Sequence, residues 1–319
     1  MGHLSFFIVN AFSGVPFRGN PATVVVVPRD DCKRHGRSED DTTYFMQLSK
    51  EIGQVETVFV IPAVLPKTDF KLRFFTKTKE MSFCGHATLA AAHVLHTEYS
   101  FPSDVLYFST QTGVVVVKCA DRKTFEMDLS PTLPHRASEA FVAQYREPMA
   151  RALSIDPQSV VDMLLHDSTQ NVILILDAAQ TVARAALKDP SALIDASPPG
   201  VAKVTITATP RRRDAKNGEG PGSDGMLEDR WRKYDFVTRL FAPKLGIAED
   251  AVSGASHGVL AQLWRSREQT IREKADLLCF QASPRGGELR LRVHGGRVGV
   301  IGEAVTVAKG WVPDHHASL

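Results

Sequence analysis

The chain carries one pattern twice, and that repetition limits its fold more than any other feature. RFFTKTKEMSFCGHATLAAAHVL, residues 73–95, runs as a short apolar strand, a polar loop, a turn of small residues and an alanine-rich helix. TRLFAPKLGIAEDAVSGASHGVLAQLW, residues 238–264, keeps the same order. With Phe75 set on Phe241 and Gly85 on Gly254, the intervening loops have similar lengths. Such self-similarity predicts two copies of one structural unit. In each copy a glycine and a small or polar residue open a helix, so unpaired backbone N–H groups and the positive helix end point outward, which suits a carboxylate or an oxyanion. Taken singly, each start reads more simply as an ordinary N-cap on a core helix. The pair points to a cleft shared by the two copies.

The 319 residues are enough for a sizeable core and for two domains. With 43% apolar residues, 23% charged residues and a formal charge of +2, the composition is that of a soluble globular protein. It lacks the basic excess of a nucleic-acid binder, and no apolar run approaches a membrane span. The opening MGHLSFFIVNAF reads as a strand rather than a signal peptide, and Phe6 breaks the myristoylation pattern. Cysteines at 32, 84, 119 and 279 show no paired spacing, so reduced thiols in a cytoplasmic protein are expected, not disulfides or a metal site.

Strands are predicted at FFIVNAF, ATVVVV, ETVFVI, KLRFFT, VVVVKCA, NVILILD, KVTITAT, ELRLRVHG and RVGVIG, each rich in β-branched or aromatic residues and bounded by turn formers. Helical spacing is clearest in TTYFMQLSKEIG, HATLAAAHVLHTE, AQTVARAALK and HGVLAQLWRSR. The result is an α+β protein without regular βαβ alternation. Arg29 to Thr42 and Arg211 to Lys233 are dense in charge, have little to bury and are expected to be mobile insertions. The run Arg211-Arg212-Arg213 reads as a solvated charge cluster rather than a phosphate site.

VNAFSGVPFRGNPATVVV, VETVFV, LRFFTKTKEMSFCGHATLAAAHVL, FAPKLGIAEDAVSGASHG and SPRGGELRLRV occur in the order found in the phenazine biosynthesis protein F-like (PhzF-like) family, which the chain resembles over nearly its whole length. The resemblance implies the diaminopimelate epimerase-like fold: two pseudo-symmetric domains, each a β-barrel-like sheet wrapped around a central helix, with the active site between them. Residues 1–130, joined by a returning strand at about 300–312, would form the first domain and 131–299 the second. The resemblance further implies an isomerase that moves a proton within a small carboxylate substrate without metal or organic cofactor, commonly as a homodimer.

Glu56 is the only charged residue between Glu51 and Lys67, and strand alternation puts it on the face of Val58 and Val60. A carboxylate held there away from water suits a group that takes up and returns a proton, although an edge-strand residue reaching solvent has the same pattern. The match of ETVFV to the family's glutamate motif favours the proton shuttle. By the same resemblance Asp250 and His86 are active-site residues, with a neutral imidazole at His86 donating to a substrate oxygen. Position alone would make Asp250 a capping acid. Gly85, Gly254, Ser253 and Ser256 supply helix-start groups, and Asn20 shapes the cleft or forms a turn.

Two departures from the family pattern bear on mechanism. Ala255 separates Gly254 from Ser256 where the family has serine directly after glycine. Cys84 stands at the place of one catalytic thiol of the related epimerases, but its counterpart is Ser253, so a two-thiol racemase is not expected. Cys84 reads as a small buried residue lining the site. A dehydratase or one-thiol epimerase using Cys84, and a non-catalytic binding protein on the same scaffold, are the alternatives.

Overall fold

The computed structural model describes residues 3–28, 42–63, 67–210 and 230–313. The charged stretches Arg29 to Thr42 and Arg211 to Lys233 fall outside these residues except for Thr42 and residues 230–233. Trp231 is buried in an apolar cluster, so the second stretch gives way to core before the boundary assigned from composition. The chain divides into two compact units, Met1–Leu129 with Gly299–Leu319, and Ser130–Val298.

The first unit contains β1 (His3–Ala11), β2 (Asn20–Val26), α1 (Thr42–Ile52), β3 (Thr57–Pro62), β4 (Phe70–Phe75), β5 (Glu80–Met81), α2 (Gly85–Thr97), β6 (Val105–Thr110), β7 (Gly113–Cys119) and β8 (Thr124–Leu129). The late strand Arg297–Pro313 pairs with β1 on one side and β8 on the other, Val305 lying opposite Asn10. With β1–β2, β2–β3, β3–β4, β4–β6, β6–β7 and β7–β8 also paired, eight strands close on themselves and leave no edge. Helix α2 packs against β1, β2, β3, β7 and β8, and every residue from His86 to Leu95 is buried. A helix surrounded by strands must be apolar on all sides and slim. Ala87, Ala90, Ala91 and Ala92 meet that need. Outside the barrel, the apolar face of α1 covers Phe59 and Phe75 with Phe45, whose ring stacks on Phe59 at 4.1 Å.

The second unit contains β9 (His135–Arg136), α3 (Glu139–Ala152), β10 (Val160–His166), β11 (Asn171–Leu176), α4 (Ala179–Arg184), α5 (Pro190–Ala196), β12 (Lys203–Ala208), β13 (Phe236–Ala242), β14 (Ile247–Asp250), α6 (Gly254–Arg267), α7 (Gln269–Arg272), β15 (Asp276–Gln281) and β16 (Gly287–His294). The strand Arg297–Pro313 follows as β17. Pairing sense repeats that of the first unit. β10–β11 are antiparallel like β1–β2, β11–β12 parallel like β2–β3, β12–β13 antiparallel like β3–β4, and β13–β15 parallel like β4–β6. The α+β class and the doubled design predicted by the repeat are both present. Among the described residues, no helix is long and apolar enough to cross a membrane, and Cys84, Cys119 and Cys279 are free thiols.

The repeat reaches side chains that the alignment of motifs left without a role. Arg73 Nε and Nη2 donate to the two carboxylate oxygens of Glu80, both at 2.8 Å, while its guanidinium lies over the Phe75 ring. Arg239 repeats the arrangement with Glu249, both bonds at 2.7 Å, over Phe241. Each clamp is a two-pronged charge-assisted pair that ties one strand to the short strand preceding the buried helix.

Candidate active site

Three segments of the first unit bring their polar residues together. β2 and β3 are parallel neighbours, with Thr23 opposite Thr57 and Thr23 N donating to Glu56 O at 2.9 Å, so Asn20 and Glu56 lie near the same ends of the two strands. Gly19 turns the chain into β2 with φ +70, and a Cβ there would lie 2.2 Å from Ala11 O. Only glycine fits that turn. α2 then delivers Cys84, its N-cap, together with Gly85 and His86 in its first turn.

His86 is the hub. Its Nε2 lies 3.3 Å from Glu56 Oε2, the two side chains being 8% and 12% exposed. Its Nδ1 lies 3.2 Å from Asn20 Nδ2 and 3.4 Å from Cys84 Sγ. Burial pushes the imidazole toward neutrality, but the electrostatic influence and hydrogen bonds of neighbouring Cys84 and Glu56 outweigh it and raise His86 well above the ordinary histidine value. In the imidazolium both nitrogens donate, one to Glu56 and the other toward Cys84 and Asn20, whose amide then turns its oxygen to the ring.

Cys84 is half-buried rather than enclosed, and its backbone is extended at φ −144 with no side-chain capping bond. Gly85 sits where a Cβ would approach Met127 Cε at 3.1 Å. Glu56 falls one residue before β3 instead of within it, partly shielded from solvent.

The second unit places its candidates at the matching points of its own fold. Asp250 ends β14 opposite Leu240, and its carbonyl accepts from Gln281 Nε2 at 2.6 Å. Ser253 is the N-cap of α6: its Oγ accepts from Ser256 N at 3.4 Å and donates to Ser256 Oγ at 3.1 Å. The serine one place beyond Ala255 is thus engaged in capping, and Gly254 is buried at the helix start. His257 Nδ1 lies 2.7 Å from Ser253 O, and burial lowers this imidazole to about 4.

Gln281, Ser283 and His257 were not foreseen. Gln281 also accepts from Ser253 N at 2.8 Å, and Ser283 Oγ donates to Ala251 O at 2.6 Å, so the loop carrying Asp250 hangs on the end of β15. The signal available was the polar tail of FQASPRGG, where Gly286 has φ +67 and a Cβ would lie 2.9 Å from the Phe280 ring.

Comparison with known proteins agrees with this architecture. Residues 9–310 match the family described as "Phenazine biosynthesis-like protein". The chain belongs to the phenazine biosynthesis-like family. An uncharacterized isomerase of Pseudomonas aeruginosa is 33% identical over 307 residues, covering 96% of this chain and 97% of the relative. Mouse phenazine biosynthesis-like domain-containing protein 1 is 32% identical over 323 residues, covering 96% and 98%. The crystal structure of a PhzF-family protein from Enterococcus faecalis superposes with a TM-score of 0.75 at 29% identity, over 98% of this chain and all of that one. Within the phenazine biosynthesis-like family, the diaminopimelate epimerase-like fold expected from the motifs is the fold this chain adopts.

Proposed function

We propose that the protein is an isomerase that moves a proton within a small carboxylate substrate, using Glu56 as its acid/base and no cofactor. The observation that carries the reading is the contact of a partly shielded carboxylate, Glu56, with a histidine held in place on its other side. Glu56 removes a proton from a carbon beside an unsaturated or carboxyl-bearing centre and returns it to another carbon. His86, positively charged through its neighbours, stabilises the negative charge that develops as the carbon–hydrogen bond breaks. Asn20 holds the ring in register. In this reading Asp250, Gly254, Ser253 and Ser256 contribute substrate-orienting groups from the second unit.

A one-thiol route is the second reading, favoured by one contact. Cys84 Sγ lies 3.4 Å from His86 Nδ1, within reach of a proton transfer through sulfur. Incubation of the protein with a panel of small unsaturated and 2-substituted carboxylates in deuterated water separates these readings from a binding-only protein. Deuterium in recovered substrate marks an enzyme. Loss of the label in Cys84→Ser with retention in Glu56→Gln would assign the proton transfer to the thiol.

A further inference from the structure

We propose that Glu56, Cys84 and His86 form a divalent-cation site suited to Zn²⁺, whose occupation shuts off proton transfer by Glu56. The sequence held no paired cysteine or histidine spacing that would suggest such a site. The fold makes it by gathering one carboxylate, one thiol and one imidazole from two separate segments. One donor atom from each lies within 4.8 Å of the others. His86 Nε2 is 3.3 Å from Glu56 Oε2 and 3.9 Å from Cys84 Sγ. Bonds of about 2.0–2.3 Å to a tetrahedral Zn²⁺ place its ligand atoms about 3.3–3.8 Å apart. Two of the separations are already near that range, and the third, within 4.8 Å, must close by up to about 1 Å around the ion.

The surroundings favour the same occupant. Asn20, buried beside Nδ1 at 3.2 Å, holds the ring with Nε2 facing Glu56, and Cys84 Sγ lies along the ring edge, 3.4 Å from Nδ1 and 3.9 Å from Nε2. A partner on the non-ligating nitrogen is the usual support of a metal-bound histidine. Cys84 is half-buried, which leaves an approach for a fourth ligand, a water or a substrate carboxylate. Three protein ligands with one open position is a common zinc arrangement. A thiolate in the set disfavours Mg²⁺ and Ca²⁺, which take oxygen ligands. Metal binding displaces the protons shared among the three side chains and takes the lone pair that Glu56 needs as a base. The inhibitory consequence rests on the isomerase reading; binding itself does not.

Cobalt titration of the full-length, chelator-treated protein tests the site without any substrate. Co²⁺ should bind in one equivalent, giving a near-ultraviolet thiolate-to-metal charge-transfer band and strong visible bands of a tetrahedral ion, both removed by Zn²⁺. Cys84→Ser should lose the charge-transfer band, while Cys119→Ser and Cys279→Ser, altered at buried thiols elsewhere, should keep it. Asn20→Ala should keep the band and weaken affinity about 10–100-fold, the usual effect of removing a ligand's support. Serine is well suited to the N-cap that Cys84 occupies, and the circular dichroism of Cys84→Ser reports its folding. No charge-transfer band at millimolar cobalt, or a band unchanged in folded Cys84→Ser, would overturn the proposal. If the metal site is present and no carboxylate exchanges deuterium, the cation site stands, while the isomerase reading and the inhibition that rests on it fail.

Discussion

Glu56, His86 and Cys84 show how differently three residues of one cluster register in a sequence. Glu56 was legible because a single charge in an apolar stretch has few roles, and the family motif supplied one. His86 was legible as a position, but the neighbours that raise its pKa were not, since Cys84 and Glu56 come beside it only in the fold. The Cys84–His86 contact was not legible. Residues two apart on a helix do not face each other; these meet because Cys84 stands outside the helix with extended backbone. That position carries a prediction. Ser253 caps α6 through its hydroxyl, so Ser253→Ala should destabilise the protein by about 1 kcal/mol. Cys84→Ala removes no capping bond and should cost less. Urea unfolding midpoints for the two variants provide the comparison. Removing the imidazolium in His86→Gln should lower turnover by about two to three orders of magnitude, the range seen when a charge-stabilising donor is lost. Steady-state rates on any isomerised carboxylate measure it.

Among elements, the strands and buried helices that build the site were those with the strongest apolar patterns. α2 and α6 followed directly from the repeated motif, and the predicted strands are present. α3 was missed. Its apolar stripe of Phe141, Val142, Tyr145, Met149 and Ala152 is only half-buried apart from Met149, and Pro148 lies inside it, an interruption that argues against a helix when read from sequence. The Arg73–Glu80 and Arg239–Glu249 clamps were also missed, because the partners, seven and ten residues apart, stand on separate strands that meet only in the fold. Arg239→Ala strands the partly shielded carboxylate of Glu249 next to Asp250, and should cost about 3–5 kcal/mol. Thermal unfolding detects that loss. A change below about 1 kcal/mol would place the pair among solvent-screened surface bridges.

At the scale of the whole molecule, two units share one order of strand pairing, and in the first a closed eight-stranded barrel surrounds an alanine-rich helix. Their stability has a pH dependence that His257 sets in part. In the unfolded chain this imidazole takes up its proton near the usual 6.5, but in the folded second unit only at about 4. Between these values the unfolded state binds more protons, so stability should fall as pH drops from about 6.5 toward 4, by up to about 3 kcal/mol. His257→Asn should flatten that part of a denaturation-against-pH curve. The doubling of the fold was legible because chain repetition is itself a sequence property. The return of β17 to β1 was expected from the family resemblance, whereas no local pattern in the chain announces a pairing that spans nearly its whole length. The central claim remains the role of Glu56 as the acid/base group. Its most direct test is solvent-deuterium incorporation by Glu56→Gln into a substrate that the wild-type protein labels, measured together with binding of that substrate. The amide keeps the shape but cannot take a proton. Binding should persist while label incorporation falls by about two to four orders of magnitude; near-normal incorporation by Glu56→Gln would contradict the account.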